Sequence, residues 1–240
     1  MTGGMPACIA QAVKSNSSID VPNIQNQILN DYIADMAKYA SNTESVKIRS
    51  AYNSIQSQLG KDNKKFQNKI VQKGGTATIF GPSIEWLKYA GIVLECKKTE
   101  QGRIPIAVHA DMSSFKIYMG DVGLLTMKSG IPAQMVLFPT NIENTFSGAL
   151  AENFVAQSLV ANGHPLYYWE SKSIAEVDFV LQLGTEVVPV EVKAGIHTRS
   201  KSLNQFIQLY SPPYAIRISA KKAGFDNGIK AVPFYAVFCI

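Results

Sequence analysis

The chain has 240 residues, 46% hydrophobic and 17% charged, a composition typical of a globular protein with one large domain or two small ones. Its three distant cysteines fit a reducing cytoplasm and argue against a disulfide framework, and the sequence predicts neither a signal peptide nor an apolar run of the roughly 18 residues that a membrane span needs. Residues 1–110 hold 13 Lys+Arg against 8 Asp+Glu and the other residues hold 10 of each, so the net charge of +5 lies entirely in the first half.

The first 110 residues are predicted to be mainly helical. Residues 1–20 show little pattern and are interpreted as a linker. Apolar residues at helical spacing predict three helices, over residues 22–40, 45–59 and 63–72. Pro82 and Ser83 are expected to open a fourth helix. Short β-like runs predict three strands, over residues 76–80, 92–96 and 104–108.

Short helices followed by a helix that leads into a β-hairpin have the element order of a winged helix-turn-helix. Residues 21–110 are therefore predicted to form a winged-helix-like domain. Modules of this kind bind DNA through a helix and the wing, and others act as rigid spacers between proteins. Both roles stay open at this point.

A lysine segment gives this half much of its charge. Its members are Lys61, Lys64, Lys65, Lys69 and Lys73, opposed only by Asp62. A basic stripe of this kind is typical of a surface that tracks nucleic-acid phosphates. A solvated helix face is the alternative interpretation.

The second half is predicted to alternate helices and strands. After a connecting region over 111–140, the pattern predicts a helix over 147–162, with Glu152 on a face of small residues. Three strands follow, over residues 165–170, 176–183 and 186–193. The last predicted elements are a helix over 198–209 and strands over 214–219 and 231–238.

The strands on either side of Gly184-Thr185 are predicted to form a β-hairpin, because glycine followed by another residue suits a two-residue type II′ turn. This turn fixes the register, so that Leu183 faces Glu186 and the numbers of paired residues sum to 369. Asp178 then faces Glu191, and Glu176 faces Lys193. One face of the hairpin is apolar, and four charges lie at one end of the other.

Two carboxylates that face each other destabilise a hairpin unless a cation lies between them. Asp178 and Glu191 are therefore predicted to bind Mg²⁺ or Mn²⁺, since oxygen-only ligands favour these metals. Lys193, two residues past Glu191, is placed to orient a water or to stabilise charge on a phosphate. The alternative is a solvated charge ladder in which Glu176 and Lys193 form a cross-strand ion pair.

The order of these elements, with Glu152 on the first helix, Asp178 on the second strand and Glu191-x-Lys193 on the third, resembles the PD-(D/E)xK nuclease superfamily. More narrowly, five short stretches in order look like a C-terminal domain of unknown function (DUF4143) that many prokaryotic AAA-type ATPases carry. The stretches are Lys116 to Leu124, Gly148 to Glu152, Tyr168 to Ser171, Glu176 to Phe179 and Pro189 to Gly195. The run from Gly3 to Pro6 looks like the junction that follows the ATPase module in those proteins.

The resemblance implies an α/β nuclease-like domain over residues 111–240, with a mixed sheet flanked by helices. It implies that Glu152 completes the metal site of Asp178 and Glu191, that Lys193 assists catalysis, and that DNA, or RNA, is hydrolysed or bound. A catalytically inactive module that recognises nucleic acid or a protein is the alternative. The sequence has no Gly-x-x-x-x-Gly-Lys-Ser/Thr loop, so no ATPase activity is expected from this chain and the ATPase module is expected in full-length relatives. We expect a cytoplasmic protein, either a fragment or a naturally short relative.

Overall fold

The computed structural model describes residues 2–17, 19–132, 145–171, 175–195 and 201–240. The chain has a mixed α/β fold with two mixed sheets and forms two compact units, Met1–Leu94 with Ile117–Asn153, and Glu95–Lys116 with Phe154–Ile240. We predicted domain boundaries near residues 20 and 110, whereas the compact units interleave along the sequence. Within the described ranges, no helix is both long and apolar enough to cross a membrane.

The first unit is built mainly from helices. They are α1 (Pro6–Ser15), α2 (Val21–Lys38), α3 (Asn42–Leu59), α4 (Asn68–Val71), α5 (Ala77–Tyr89), α6 (Val122–Lys128) and the first turns of α7 (Thr145–Ala161). Helix α3 begins with a capping box, in which the Ser41 side chain accepts from the Glu44 amide while the Glu44 side chain accepts from the Ser41 amide. Helices α2 and α3 confirm two predicted helices, whereas the predicted third helix is reduced to the single turn of α4.

Two predictions for this unit were wrong. Residues 1–20 were interpreted as a linker but contain α1, which Pro6 opens and which buries Cys8. Residues 76–80 were predicted as a strand but lead into and begin α5, with Pro82 inside the helix. The buried side chains Phe80, Ile84 and Leu87 recur every three to four residues, and this helical period outweighs the β-like local composition.

The predicted wing is also different. Strand β1 (Val93–Thr99) is present, but residues 106–109 form a 3₁₀ turn and the next strand, β2, runs over Ala110–Met119. Strands β1 and β2 lie side by side in a four-stranded sheet of order β2-β1-β3-β4, with β3 (Tyr167–Ser171) parallel to β1. The second predicted strand of the hairpin therefore begins six residues later than the sequence indicates.

The second unit contains a five-stranded sheet of order β5-β6-β7-β9-β8. Its strands are β5 (Phe179–Leu183), β6 (Glu186–Lys193), β7 (Ala215–Ser219), β8 (Gly224–Asp226) and β9 (Ile229–Pro233). Helix α8 (Lys201–Tyr210) lies in sequence between β6 and β7, which are parallel, as are β7 and β9. The predicted last strand over 231–238 is instead β9 followed by a 3₁₀ helix over Phe234–Cys239.

The hairpin of β5 and β6 has the predicted register. Leu183 pairs with Glu186 and Phe179 with Val190, and Gly184 in the turn has a φ of 62°, which glycine adopts without strain. The apolar face is buried as expected. The opposite face is buried as well, because Val180 and Val187 belong to a hydrophobic cluster with Trp169 and Phe206.

The predicted strand over 176–183 is interrupted at Asp178. Residues 175–177 form a separate strand, β4 (Ala175–Val177), which pairs with β3 in the other sheet, and β5 begins at Phe179. Glu176 therefore lies opposite Glu170, and the predicted pairing of Glu176 with Lys193 was wrong. The physical reason is that the chain passes from one sheet to the other at Asp178, so the hairpin ladder ends there.

In the first unit, a close backbone contact joins Gly3 and Gly4 to the start of α6. The Gly4 amide donates to Asp121 Oδ2 at 2.6 Å, and the Leu124 amide donates to Asp121 Oδ1 at 2.8 Å. A β-carbon on Gly123 would lie 2.7 Å from the Cα of Gly3. The glycine at position 123 is therefore required by space rather than by helix propensity.

We expect Gly123→Ala to lower the free energy of unfolding by about 1–3 kcal/mol, because the added methyl group collides with backbone. Gly81→Ala is the matched control. It is also a glycine inside a helix, but its added β-carbon meets no atom within 4 Å, so it should be neutral or stabilising by up to about 1 kcal/mol. Urea unfolding of both variants measures the difference, and equal effects would contradict the packing argument.

Candidate functional site

A cluster of charged side chains lies where β6 approaches its end. Glu191 is central to it, and its side chain is only 5% exposed. Lys193, two residues later on the same face of β6, places its Nζ 3.1 Å from Glu191 Oε1. Arg217, which lies opposite Glu191 on the parallel strand β7, places its Nε 3.4 Å from Glu191 Oε2. Each carboxylate oxygen of Glu191 therefore faces a cation.

Asp178 joins the same end of β6 through the backbone. Its Oδ2 accepts a hydrogen bond of 2.7 Å from the amide of Val192, the residue between Glu191 and Lys193. Asp178 thus satisfies a strand amide at the point where backbone pairing with the preceding strand stops. We define Asp178, Glu191, Lys193 and Arg217 as the β6 charge cluster, and its two acids and two bases balance in formal charge.

Glu152 belongs to the first unit, where other residues bind it. Lys64 forms a close ion pair with Glu152 Oε1, and the Tyr118 hydroxyl donates to Oε2 at 3.3 Å. The next residue on α7, Asn153, exchanges two hydrogen bonds with the backbone of Met119, of 2.8 and 2.9 Å. Glu152 and Asn153 therefore anchor the start of α7 to the end of β2.

The structure thus brings together three of the four predicted site residues, Asp178, Glu191 and Lys193. The fourth, Glu152, is held by Lys64 in a different compact unit. Asp178 contacts the backbone of Val192, the residue after Glu191, and does not form a backbone pair with Glu191 in the hairpin ladder. Arg217 was not predicted, although a lone arginine among the apolar residues of β7 is a signal in the sequence.

A divalent cation at this cluster would need several carboxylate oxygens that no other group occupies. Among the residues that the structure describes, no three histidine, cysteine or acidic side chains are grouped to hold a metal. Both oxygens of Glu191 face cations, and one oxygen of Asp178 accepts from Val192. As arranged, these side chains do not fit a magnesium or manganese site, because a metal would have to displace Lys193 and Arg217 from Glu191.

A second ion pair explains the role of Glu176. The ammonium of Lys116, a fully buried side chain on β2, forms a close ion pair with Glu176 Oε1, while the Glu176 side chain is 33% exposed. The same ammonium lies 4.8 Å from the ring centroid of Tyr168. Burial raises the pKa of Tyr168 to about 12, and its hydroxyl lies 3.0 Å from Ser114 Oγ. A lysine inside the otherwise apolar run over residues 115–119 was the available signal for this pair.

The lysine segment differs from a continuous helix face. Lys61 precedes α4, Lys69 lies in it and Lys73 follows it, and all three are exposed. Lys64 is directed to Glu152, so it is not presented to solvent as predicted. The exposed basic surface of this segment therefore consists mainly of Lys61, Lys69 and Lys73.

Two family models match the chain. One, described as a domain of unknown function (DUF4143), matches residues 147–237 and confirms the resemblance to that domain over these residues. The other, described as a domain of unknown function (DUF8612), matches residues 1–135, more than half of the 240 residues. No curated protein and no solved structure matches the chain significantly.

Loss of the Glu176 carboxylate should destabilise the protein strongly. Glu176→Gln leaves the charge of Lys116 buried without its acid, and we expect a loss of about 2–3 kcal/mol, less than for a fully enclosed pair because Glu176 is partly exposed. Glu85→Gln is the control, since its ion pair with Lys88 at 2.7 Å is exposed and is worth about 0–1 kcal/mol. Chemical denaturation compares the two, and a Glu176 effect no larger than the Glu85 effect would contradict this assignment.

Proposed function

Because the chain belongs to the DUF8612 family and carries a DUF4143 domain at residues 147–237, we propose that it is a nuclease-like module that binds DNA without hydrolysing it. The observation that carries the proposal is the buried carboxylate of Glu191, which faces Lys193 and Arg217. That carboxylate is used within the protein, and the β6 charge cluster serves the fold.

The order of elements supports a core of the PD-(D/E)xK type. Helix α7 is followed by β3, by β4 and β5, and by β6, and α8 then leads to β7, which is parallel to β6. Glu191 and Lys193, two residues apart on β6, match the spacing of the nuclease motif, which supports the proposal. The proposal keeps this fold, assigns Glu152 and Glu191 to internal ion pairs, and assigns Asp178 to a backbone hydrogen bond.

The exposed lysines of the first unit support binding to a phosphate backbone. Lys61, Lys69 and Lys73 lie on a short stretch around α4, in the half of the chain that holds the excess positive charge. Contacts of this kind are independent of base sequence and weaken with salt. We also propose a winged-helix-like arrangement for the helices and the pair of strands in the first 119 residues. RNA, single- or double-stranded, carries the same phosphates as DNA and is a further ligand of this surface.

Metal-dependent hydrolysis is the second candidate function. Asp178, Glu191 and Lys193 follow one another along the chain in the order of the nuclease motif. Asp178 bonds to the Val192 amide and Lys193 contacts Glu191, which favours this candidate. It requires Lys193 and Arg217 to leave Glu191 when Mg²⁺ or Mn²⁺ arrives. Because the chain resembles proteins that carry an AAA-type ATPase, we also propose that an ATPase module is its partner. We propose the cytoplasm as its location.

The proposal predicts DNA binding that depends steeply on salt and on the lysine segment. For a 20-base-pair duplex, replacing Lys61, Lys69 and Lys73 by methionine should reduce the slope of log affinity against log salt by up to about 2.7, or about 0.9 for each phosphate contact. The control replaces Lys201, Lys222 and Lys230, which are also exposed but lie in the second unit, and has the same change of charge. Equal slopes in the two triple variants would exclude the lysine segment as the DNA surface.

The same purified protein should leave supercoiled, linear and single-stranded DNA intact with Mg²⁺ or Mn²⁺. Cleavage by the wild-type chain that Asp178→Ala and Lys193→Ala both abolish would support the second candidate and overturn the first. Absence of DNA binding at low salt would overturn the DNA proposal itself.

The ion pair of Lys64 with Glu152 predicts a gain of function. Glu152→Gln removes the acid that holds Lys64, so Lys64 should become available to a phosphate and steepen the salt slope by about 0.9. Lys64→Met should leave the wild-type slope unchanged, and the double variant should behave like Lys64→Met. Glu85→Gln controls for the loss of one negative charge in the same unit, and a steeper slope there as well would remove the specific role of Lys64.

A further inference from the structure

The polar side-chain atoms that are buried without a partner point to one place in the first unit. Among the described residues, the three such atoms are Tyr52 Oη, Gln56 Oε1 and Ser129 Oγ. Buried polar atoms in folded proteins almost always have a partner, in the protein, in water or in a ligand. Three unpartnered atoms in one neighbourhood therefore indicate that something else binds there.

A lysine ammonium lies in the same neighbourhood. Tyr52 and Gln56 are one turn apart on α3 and so share a face of the helix, and Ser129 directly follows Lys128, the last residue of α6. Lys128 Nζ is 4.0 Å from the ring centroid of Tyr52 and donates to Asn53 Oδ1 at 2.8 Å. These residues belong to the same compact unit.

Lys128 is half-buried, and no acid binds it in the described part of the chain. Lys64 pairs with Glu152 and Lys116 with Glu176, whereas Lys128 contacts the amide oxygen of Asn53 and the aromatic ring of Tyr52. Burial lowers the pKa of Lys128 to about 8. An ammonium has three donors, and Asn53 uses one of them.

We propose that Lys128, Tyr52, Gln56 and Ser129 form a binding site for a small oxyanion, a carboxylate or a phosphate group. The ammonium and the two hydroxyls are donors, and the Gln56 amide supplies a further donor when its nitrogen turns toward the site. Ordered water would satisfy the hydroxyls and the amide, but it supplies no negative charge beside the half-buried ammonium of Lys128. An oxyanion satisfies both requirements.

This site is separate from the proposed DNA surface. Neither the lysine segment nor the β6 charge cluster contributes a residue to it. Anion binding at Lys128 would couple α3 to the end of α6 and would stabilise the folded state by an amount that grows with the logarithm of the anion concentration above the dissociation constant. A test of anion binding at this site therefore gives a result that does not depend on whether the chain binds or cuts DNA.

The test is thermal unfolding of the whole chain in inorganic phosphate, in acetate and in chloride at matched ionic strength and pH 7. Phosphate, acetate or both should raise the melting temperature of the wild type above its value in chloride, and the more effective anion identifies the oxyanion class. Lys128→Met should abolish the rise, and Tyr52→Phe, which removes only the hydroxyl oxygen, should weaken the apparent affinity about tenfold. Lys38→Met is the matched control, because Lys38 also lies over a tyrosine ring, at 4.7 Å from Tyr39, but is exposed. It should keep the full response.

A second measurement uses pH. Acetate keeps its charge between pH 7 and 10, whereas Lys128 loses its proton above its pKa of about 8, so the acetate response should decline across that interval. Tyr52 and Tyr32, the titratable groups nearby, have raised pKa values because of burial and stay neutral in this window. Identical responses of wild type, Lys128→Met and Lys38→Met, or no response to either oxyanion beyond that to chloride, would overturn the proposal and leave ordered water as the occupant.

Discussion

The hydrogen bond from the Val192 amide to Asp178 marks the position at which one strand becomes two. Up to Asp178 the chain pairs with β3, and after it the chain pairs with β6. A strand amide left without a partner at such a junction is costly, and the Asp178 carboxylate supplies the missing acceptor. The bond also holds β6 at the position where Glu191 and Lys193 emerge. The geometry of the β6 charge cluster therefore depends on this junction.

Local patterns were sufficient to predict the hairpin and its register. Glycine at position 184 tolerates the positive φ of the turn, and a two-residue turn allows one register, so Leu183 had to face Glu186. The same reasoning failed for Glu176, because a register argument assumes that both strands continue side by side. Nothing in the residues around Asp178 indicates that the chain changes sheets there. The prediction of a strand over 76–80 was wrong for a related reason, because burial of Phe80 with Ile84 and Leu87 on one helix face overrides a short β-like composition.

The charged partners could not be predicted because they are distant in sequence. Lys64 and Glu152 are 88 residues apart, and Lys116 and Glu176 are 60 apart. In each pair a buried cation requires an acid, but the sequence does not identify which acid will be near. Asp178 and Glu191 were predicted to bind a metal because the hairpin register makes them face each other. In the structure Glu191 faces Lys193 and Arg217, and Glu152 faces Lys64. The sequence thus indicated where the acidic residues lie but did not indicate which basic residues neutralise them.

The contact of Lys64 with Glu152 also crosses the boundary between the two family regions, since residue 64 lies in the DUF8612 match and residue 152 in the DUF4143 match. The first turns of α7 fold with the N-terminal helices, although the family model assigns them to the C-terminal domain. A recombination event that exchanged only the DUF4143 region would therefore separate an acid from the base that neutralises it. Positions 64 and 152 should accordingly covary across relatives, and the two regions should be inherited together more faithfully than their separate family models suggest.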